Sequence, residues 1–480
     1  MKRRLLSAFL AVMMVLTMAP VAFAADEGGT TGVAKIGDVE YPTLQAAVDA
    51  ANNGDTIVLK KSISATEIGE KKQLQFVKAD MNVTLDLNQN TITAEAGEAI
   101  AINAANITLT VKNGTIENFA EGNYSDGVYA YKESNNLTLT FESVVLKSRT
   151  QGLAVQGLTS NSNVNIVNSK ITSAEELGIY YPPKSGTLTI SDSEITGVTG
   201  IVVKGSNLVV KGEKTIISGT GPNVDPETYY TGATDGSSTL TETGDALYIE
   251  SGYNDRDISV SISGGHLNSK SAKAVRMFVK NGENTSAKRE ISVTGGTFSS
   301  DVSAYVAEGY VQNENGTVEQ LGETNAVAKI DDTYYKTLAD AVAAANDGKT
   351  VTLLKNVVLN STLTLNKSMT LDLNGCKISN GSTMGTDYLV SIAANADVSI
   401  VGNKENSKIS DSRSNAQGTI TAVVVYGKLT VAGDNLTISR GANGIAIKVE
   451  DNPGTLIVNG GTITVDKPTK TSSQAIQNWG

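Results

Sequence analysis

A chain of 480 residues with 50 Asp and Glu against 39 Lys and Arg carries a net charge of -11, which repels a phosphate backbone and excludes nucleic acid as a natural partner. Gly, Asn, Thr, Ser, Val and Ile dominate over a scant eight Pro and 5% aromatics, a composition for many short strands joined by polar turns and not for helical domains. One cysteine excludes an internal disulfide, and one histidine excludes a His-His metal site.

In chain order, Lys2, Arg3 and Arg4 precede an apolar stretch over 5–18 and the small-residue site Ala22-Phe23-Ala24, the pattern of a secretory signal (1–24) removed near Ala25. Nothing later approaches the roughly 20 apolar residues of a membrane span. The expected product is secreted or held at the cell surface, after a linker over 25–33.

Residues 34–56 predict a short helix with Thr43 as N-cap, because Leu44, Ala47, Val48 and Ala51 fall at helical spacing; Gly54 stops it and 56–59 begins a strand. The whole passage recurs at 328–350, from Ala328-Lys329-Ile330 through Tyr335, Thr337-Leu338, Ala341-Val342 and Gly348, and the strand at 84–88 recurs at 370–374. Two related units are expected, over 34–304 and 326–480, each opened by a helix that lids an apolar end. A hairpin-like connector lies over 305–325, with Asn315-Gly316 at its tip. The second unit shows no closing element before Gly480 and reads as incomplete.

A finer repeat runs through both units as strand, Asn- or Gly-rich turn, strand, at 107–116, 137–146, 164–171, 188–195 and 208–217. Each is followed by a second phase opened by glycine: Gly127, Gly152, Gly178 and Gly200, which stand 22 to 26 residues apart. That is the length of one coil of a solenoid, so the expected fold is all-β, a right-handed parallel β-helix with stacked apolar columns. Turn asparagines such as Asn113, Asn168 and Asn459 suit left-handed backbone and inter-coil ladders. The Asn-x-Thr sequons at Asn106 and Asn435 read as part of the same turn chemistry.

With Tyr41-Pro42-Thr43-Leu44-Gln45-Ala46-Ala47-Val48, Gly54-Asp55-Thr56-Ile57, the second copy from Tyr335, and Gly295-Gly296-Thr297-Phe298-Ser299, the chain resembles the pectate-lyase-like superfamily of right-handed parallel β-helices. More narrowly it is similar to secreted or surface β-helix proteins of Gram-positive gut bacteria. The resemblance implies the fold over nearly the whole mature chain. It also implies what a lyase or polygalacturonase would show: a calcium-binding carboxylate cluster with an arginine base, or paired aspartates with a Gly-His-Gly motif. None of these sets is present; Asp331-Asp332 lies outside the repeats, and Arg149, Arg276 and Arg440 have no carboxylate trio in phase. His266 reads as a turn or outward strand residue equivalent to Thr297, and Cys376 as a small buried residue.

Two groups of site residues follow. Strand alternation turns Tyr129, Tyr131, Gln156, Tyr180, Lys204, Tyr248 and Glu250 outward in one column, where exposed rings and polar groups suit stacking on sugars. The carboxylates Glu175, Glu176, Asp192 and Glu194 are the candidates for catalysis, since glycosidic cleavage needs two carboxyls flanking the bond. The leading expectation is a non-catalytic adhesion or glycan-binding protein, with an extracellular, host or cell-wall glycan as partner and no metal or cofactor. Against it stand a polysaccharide lyase or hydrolase of the same fold, in which calcium would enter, and a passive stalk.

Overall fold

In Thr108–Asn118, Leu109, Val111 and Ile116 are buried while Thr110 and Lys112 are half-exposed, the alternation that gives a strand one apolar face. The computed structural model pairs that strand in parallel with Asn82–Asp86 before it and Thr138–Ser148 after it, coil upon coil. Described are residues 32–479, except 123, 230–241, 251–255, 280–286, 414–419, 442, 452, 467 and 469–472. The signal segment therefore lies outside the described residues. The architecture is a parallel β-solenoid of the right-handed type.

The chain divides into two compact units, one of residues 1–305 with 314–317, the other of 306–313 with 318–480. In the first, Leu85, Val111, Phe141, Ile166, Ile190, Val210, Ile262 and Val293 stand in register on eight successive coils, all fully buried. With coils about 4.8 Å apart, each side chain packs on its counterparts above and below. An eight-stranded parallel sheet forms another wall. Its strands run in the order Leu74–Phe76, Glu98–Ile102, Asp126–Ala130, Leu153–Val155, Leu177–Tyr181, Thr199–Val203, Leu247–Glu250 and Val275–Phe278.

The second unit has three parallel walls of its own around one apolar column, in which Leu371, Ile400 and Val431 are stacked. One wall comprises Leu363–Leu365, Tyr388–Ile392, Thr421–Val425, Ile445–Val449 and Gln474–Asn478.

Helices form at Leu44–Ala50 and Leu338–Ala344, with the hydroxyls of Thr43 and Thr337 accepting from the amides of Ala46 and Asp340. Leu44, Ala47 and Val48, and their counterparts Leu338, Ala341 and Val342, are buried. A third helix, Ala65–Ile68, had no periodic signal to announce it. The connector forms an antiparallel hairpin, Tyr310–Gln312 with Thr317–Gln320, and Gly316 takes φ 84° at its tip. Asn113 and Asn168 adopt left-handed backbone as expected (φ 60° and 46°). Asn459 does not, because Gly461 takes the positive φ of 87° in that turn at no steric cost.

Candidate functional site

The outward side chains of the eight-stranded sheet form two columns and not the single one expected. Strand register aligns Ala101, Tyr129, Ala154, Tyr180, Val202, Tyr248 and Arg276 on successive coils. Tyrosine thus recurs on every second coil, about 9.6 Å apart along the axis, with a small or branched residue between. Tyr131, Gln156, Lys204 and Glu250 make a neighbouring column, each directly following an inward residue: Ala130, Val155, Val203 and Ile249.

Four of these residues are half-buried at the surface: Tyr129, Tyr131, Gln156 and Tyr180. The rings of Tyr129 and Tyr131 lie 4.7 Å apart at 57°. Tyr131 donates its hydroxyl to Glu98 Oε1 at 2.5 Å, and its pKa is raised, first by burial and then by that carboxylate. It therefore stays a neutral donor.

Lys204, Tyr248 and Glu250 correct the expectation of an exposed face. Tyr248 is 0% exposed and packs with Leu177 and Val202, with Tyr180 and Phe278 at the margin. Lys204 and Glu250 are each 2% exposed and ion-paired at 2.9 Å, and the Lys204 ammonium lies 5.6 Å from the centroid of the Tyr180 ring. The interval between Ile216–Gly219 and Leu247–Glu250 is longer than one coil and interrupts the coil rhythm. Arg276 donates to Asn223 Oδ1 at 2.5 Å and to the Val224 carbonyl at 3.3 Å, tying this segment over the sheet. Its Nε stands 2.8 Å from Asp245, so this arginine does have a carboxylate partner. Burial raises the pKa of Asp245, with hydrogen bonds from Thr243 and Lys273 opposing.

A third row of polar residues was missed by sequence reasoning. Glu98 aligns with Asp126, and each opens its strand immediately before a small residue, Ala99 or Gly127; Asp245 likewise stands before Ala246. That phase was the available signal. Asp126 Oδ1 accepts from Thr150 Oγ1 at 2.5 Å and from the Gln151 amide at 2.9 Å, and burial raises its pKa.

The four carboxylates proposed for catalysis do not converge. Glu175 and Glu176 sit in the turn before Leu177–Tyr181, Asp192 and Glu194 at the corner between Gly186–Ser191 and Glu194–Gly197. Glu175 pairs with Arg149 at 3.1 Å and Glu194 with Lys170 at 2.7 Å. Asp192 takes left-handed backbone (φ 48°) as a turn residue. The pKa of Glu176 is raised, first by desolvation and then by Glu242 and Asp126. Among the described residues, no group of three or more His, Cys, Asp or Glu could hold a metal ion. His266 is exposed and in register with Thr297; Cys376 packs against the second unit's core, and burial raises its pKa.

Comparison with solved structures returned a PL6 family alginate lyase, AlyGC, in a mutant form, at 11% identity and a TM-score of 0.19 over 88% of this chain and 80% of that one. The same enzyme without the mutation gave 10% and 0.18 over the same shares. No family profile matches the chain, and no curated protein does.

Proposed function

We propose that the first unit binds an extended neutral glycan along the solenoid axis, on the outer face of the eight-stranded sheet, as part of an exported adhesion or surface protein. The observation that carries this is the recurrence of Tyr129 and Tyr180 two coils apart in one register, beside Tyr131 and Gln156. Flat rings stack on pyranose faces, and the amide and hydroxyl groups bond sugar hydroxyls. One coil rise is close to one sugar of an extended β-1,4-linked chain, so alternate sugars meet a ring.

Charge selects within the glycans. The face's cations Lys204 and Arg276 are already paired with Glu250 and Asp245. A polyuronate would find them committed to those carboxylates, and a neutral chain needs no cation. In this reading the helices at 44–50 and 338–344 lid the start of each unit, and no transmembrane helix is involved: no helix among the described residues is long and apolar enough to cross a membrane. Extracellular, host and cell-wall polymers remain the partner class.

The test is a glycan array with purified protein and the Tyr129→Ala/Tyr180→Ala variant. Binding to neutral β-linked chains, weakened at least about tenfold in the variant at unchanged circular dichroism, is the expected result. Undiminished binding by the variant would overturn the assignment of the face.

The hydrolase or lyase reading keeps one specific support, the half-buried Glu176, whose raised pKa suits a general acid. It requires new reducing or unsaturated ends from a polysaccharide panel, with or without calcium, that disappear in Glu176→Gln.

A further inference from the structure

We propose a second, separate glycan-binding face on the second unit, built from Tyr426, Lys448, Glu450 and Trp479. It rests on that unit's residues alone and does not require the face on the first.

Tyr426, Glu450 and Trp479 each directly follow a strand of one parallel wall, after Val425, Val449 and Asn478. Their amides continue the ladder: Tyr426 donates to the Ile392 carbonyl, Glu450 to that of Val425 and Trp479 to that of Val449. The three therefore occupy one column on successive coils. The two aromatic residues again stand two coils apart, about 9.6 Å. Tyr426 is 37% exposed, an outward ring that contributes nothing to the core, and Trp479 stands in the same outward column.

Polar groups complete the layout. The Lys448 ammonium lies 4.6 Å from the centroid of the indole ring and donates to Glu450 Oε1 at 2.5 Å. The pair cancels in charge, so the strip between the two rings offers hydrogen bonds without net charge. That is complementary to a neutral pyranose chain and indifferent to a polyanion. The first unit holds the same combination of aromatic ring, lysine and glutamate in Tyr180, Lys204 and Glu250, but there the lysine and glutamate are each only 2% exposed. In the second unit Lys448 and Glu450 keep 17% and 18% of their side-chain surface exposed.

Trp479 is the only tryptophan of the chain, so its emission reports this face and no other. The experiment titrates the full chain with cellohexaose and with chitohexaose and follows Trp479 fluorescence. The expected result is a saturable change with at least one of them. It should weaken about tenfold in Tyr426→Ala, survive in Tyr426→Phe, and be unaltered in Tyr129→Ala/Tyr180→Ala. No emission change up to millimolar sugar overturns the proposal, as does a change indifferent to Tyr426→Ala in protein with native circular dichroism. Emission that instead depends on protein concentration, with no response to sugar, assigns the face to a second copy of the chain and equally overturns it. If calorimetry detects sugar binding that the double variant abolishes while Trp479 stays silent, the first face stands and the second falls.

Discussion

Asp126 and Asp245 are carboxyls whose ionised form burial disfavours, raising both above the ordinary 3.8. A folded-state pKa above the unfolded one stabilises fully below the unfolded value, and that contribution is lost as pH rises through the folded value. Ionised Asp126 is therefore a cost at neutral pH, retained for the hydrogen bonds it accepts from Thr150 and Gln151. An asparagine Oδ1 accepts the same two bonds without the charge. Asp126→Asn is expected to gain melting temperature relative to the wild type at pH 7 and to lose that advantage at pH 4. Parallel melting curves at both pH values would show that desolvation of this carboxyl is unimportant. The buried pair Lys204 and Glu250 follows another logic, in which neither partner tolerates removal of the other and close mutual contact offsets desolvation.

At the scale of strands and turns, glycine sets how closely coils approach. A Cβ on Gly152 would lie 2.4 Å from the carbonyl oxygen of Gly178 and 2.4 Å from Ile171 Cγ2, and the same contact recurs from Gly178 to Gly200. A backbone oxygen cannot yield unless the coils separate. Gly152→Ala is expected to cost about 1–3 kcal/mol or more in urea denaturation. Gly97→Ala, which meets nothing within 4 Å, serves as the neutral control. Equal midpoints for the two variants would contradict this account of the corner. Asparagine has the complementary role at another turn. Asn106, Asn136 and Asn161 hold positive φ and pass a side-chain hydrogen bond along successive coils, from Asn136 to Asn106 at 2.8 Å and from Asn161 to Asn136 at 3.1 Å.

These elements were largely legible, because alternation, turn glycines and turn asparagines are local and repeat with the coil. The register of Tyr129, Tyr180 and Tyr248 followed from the same period. The burial of Tyr248 did not, since it depends on tertiary packing that the period does not encode, as does the hold of Arg276 on Asn223 and Val224. The ion pair of Lys204 with Glu250 was hidden likewise, by an insertion that sets next-coil partners far apart in sequence. Asp192 and Glu194 lie on coils neighbouring Glu175 and Glu176 but at a different corner, which the spacing of the repeat alone does not reveal.

On the scale of the whole molecule, the two units repeat one construction: a helix with a threonine cap, an apolar pillar, and a wall bearing aromatic residues on alternate coils. A solenoid presents equivalent positions at a fixed rise, which makes it a ruler for a polymer of matching repeat. Under the proposed glycan-binding reading, the acidic balance of the chain, -11, disfavours polyanions and favours neutral chains.

A ruler differs from an isolated aromatic patch in how it responds to ligand length. Calorimetric titration with β-1,4-linked oligosaccharides of two to six sugars measures this on the first face, in protein whose second face is silenced by Tyr426→Ala. The account predicts that affinity climbs until the ligand spans Tyr129 to Tyr180, and that Tyr180→Ala abolishes the gain from added length while short ligands bind as before. Affinity independent of ligand length, or a length dependence that survives Tyr180→Ala, would contradict it.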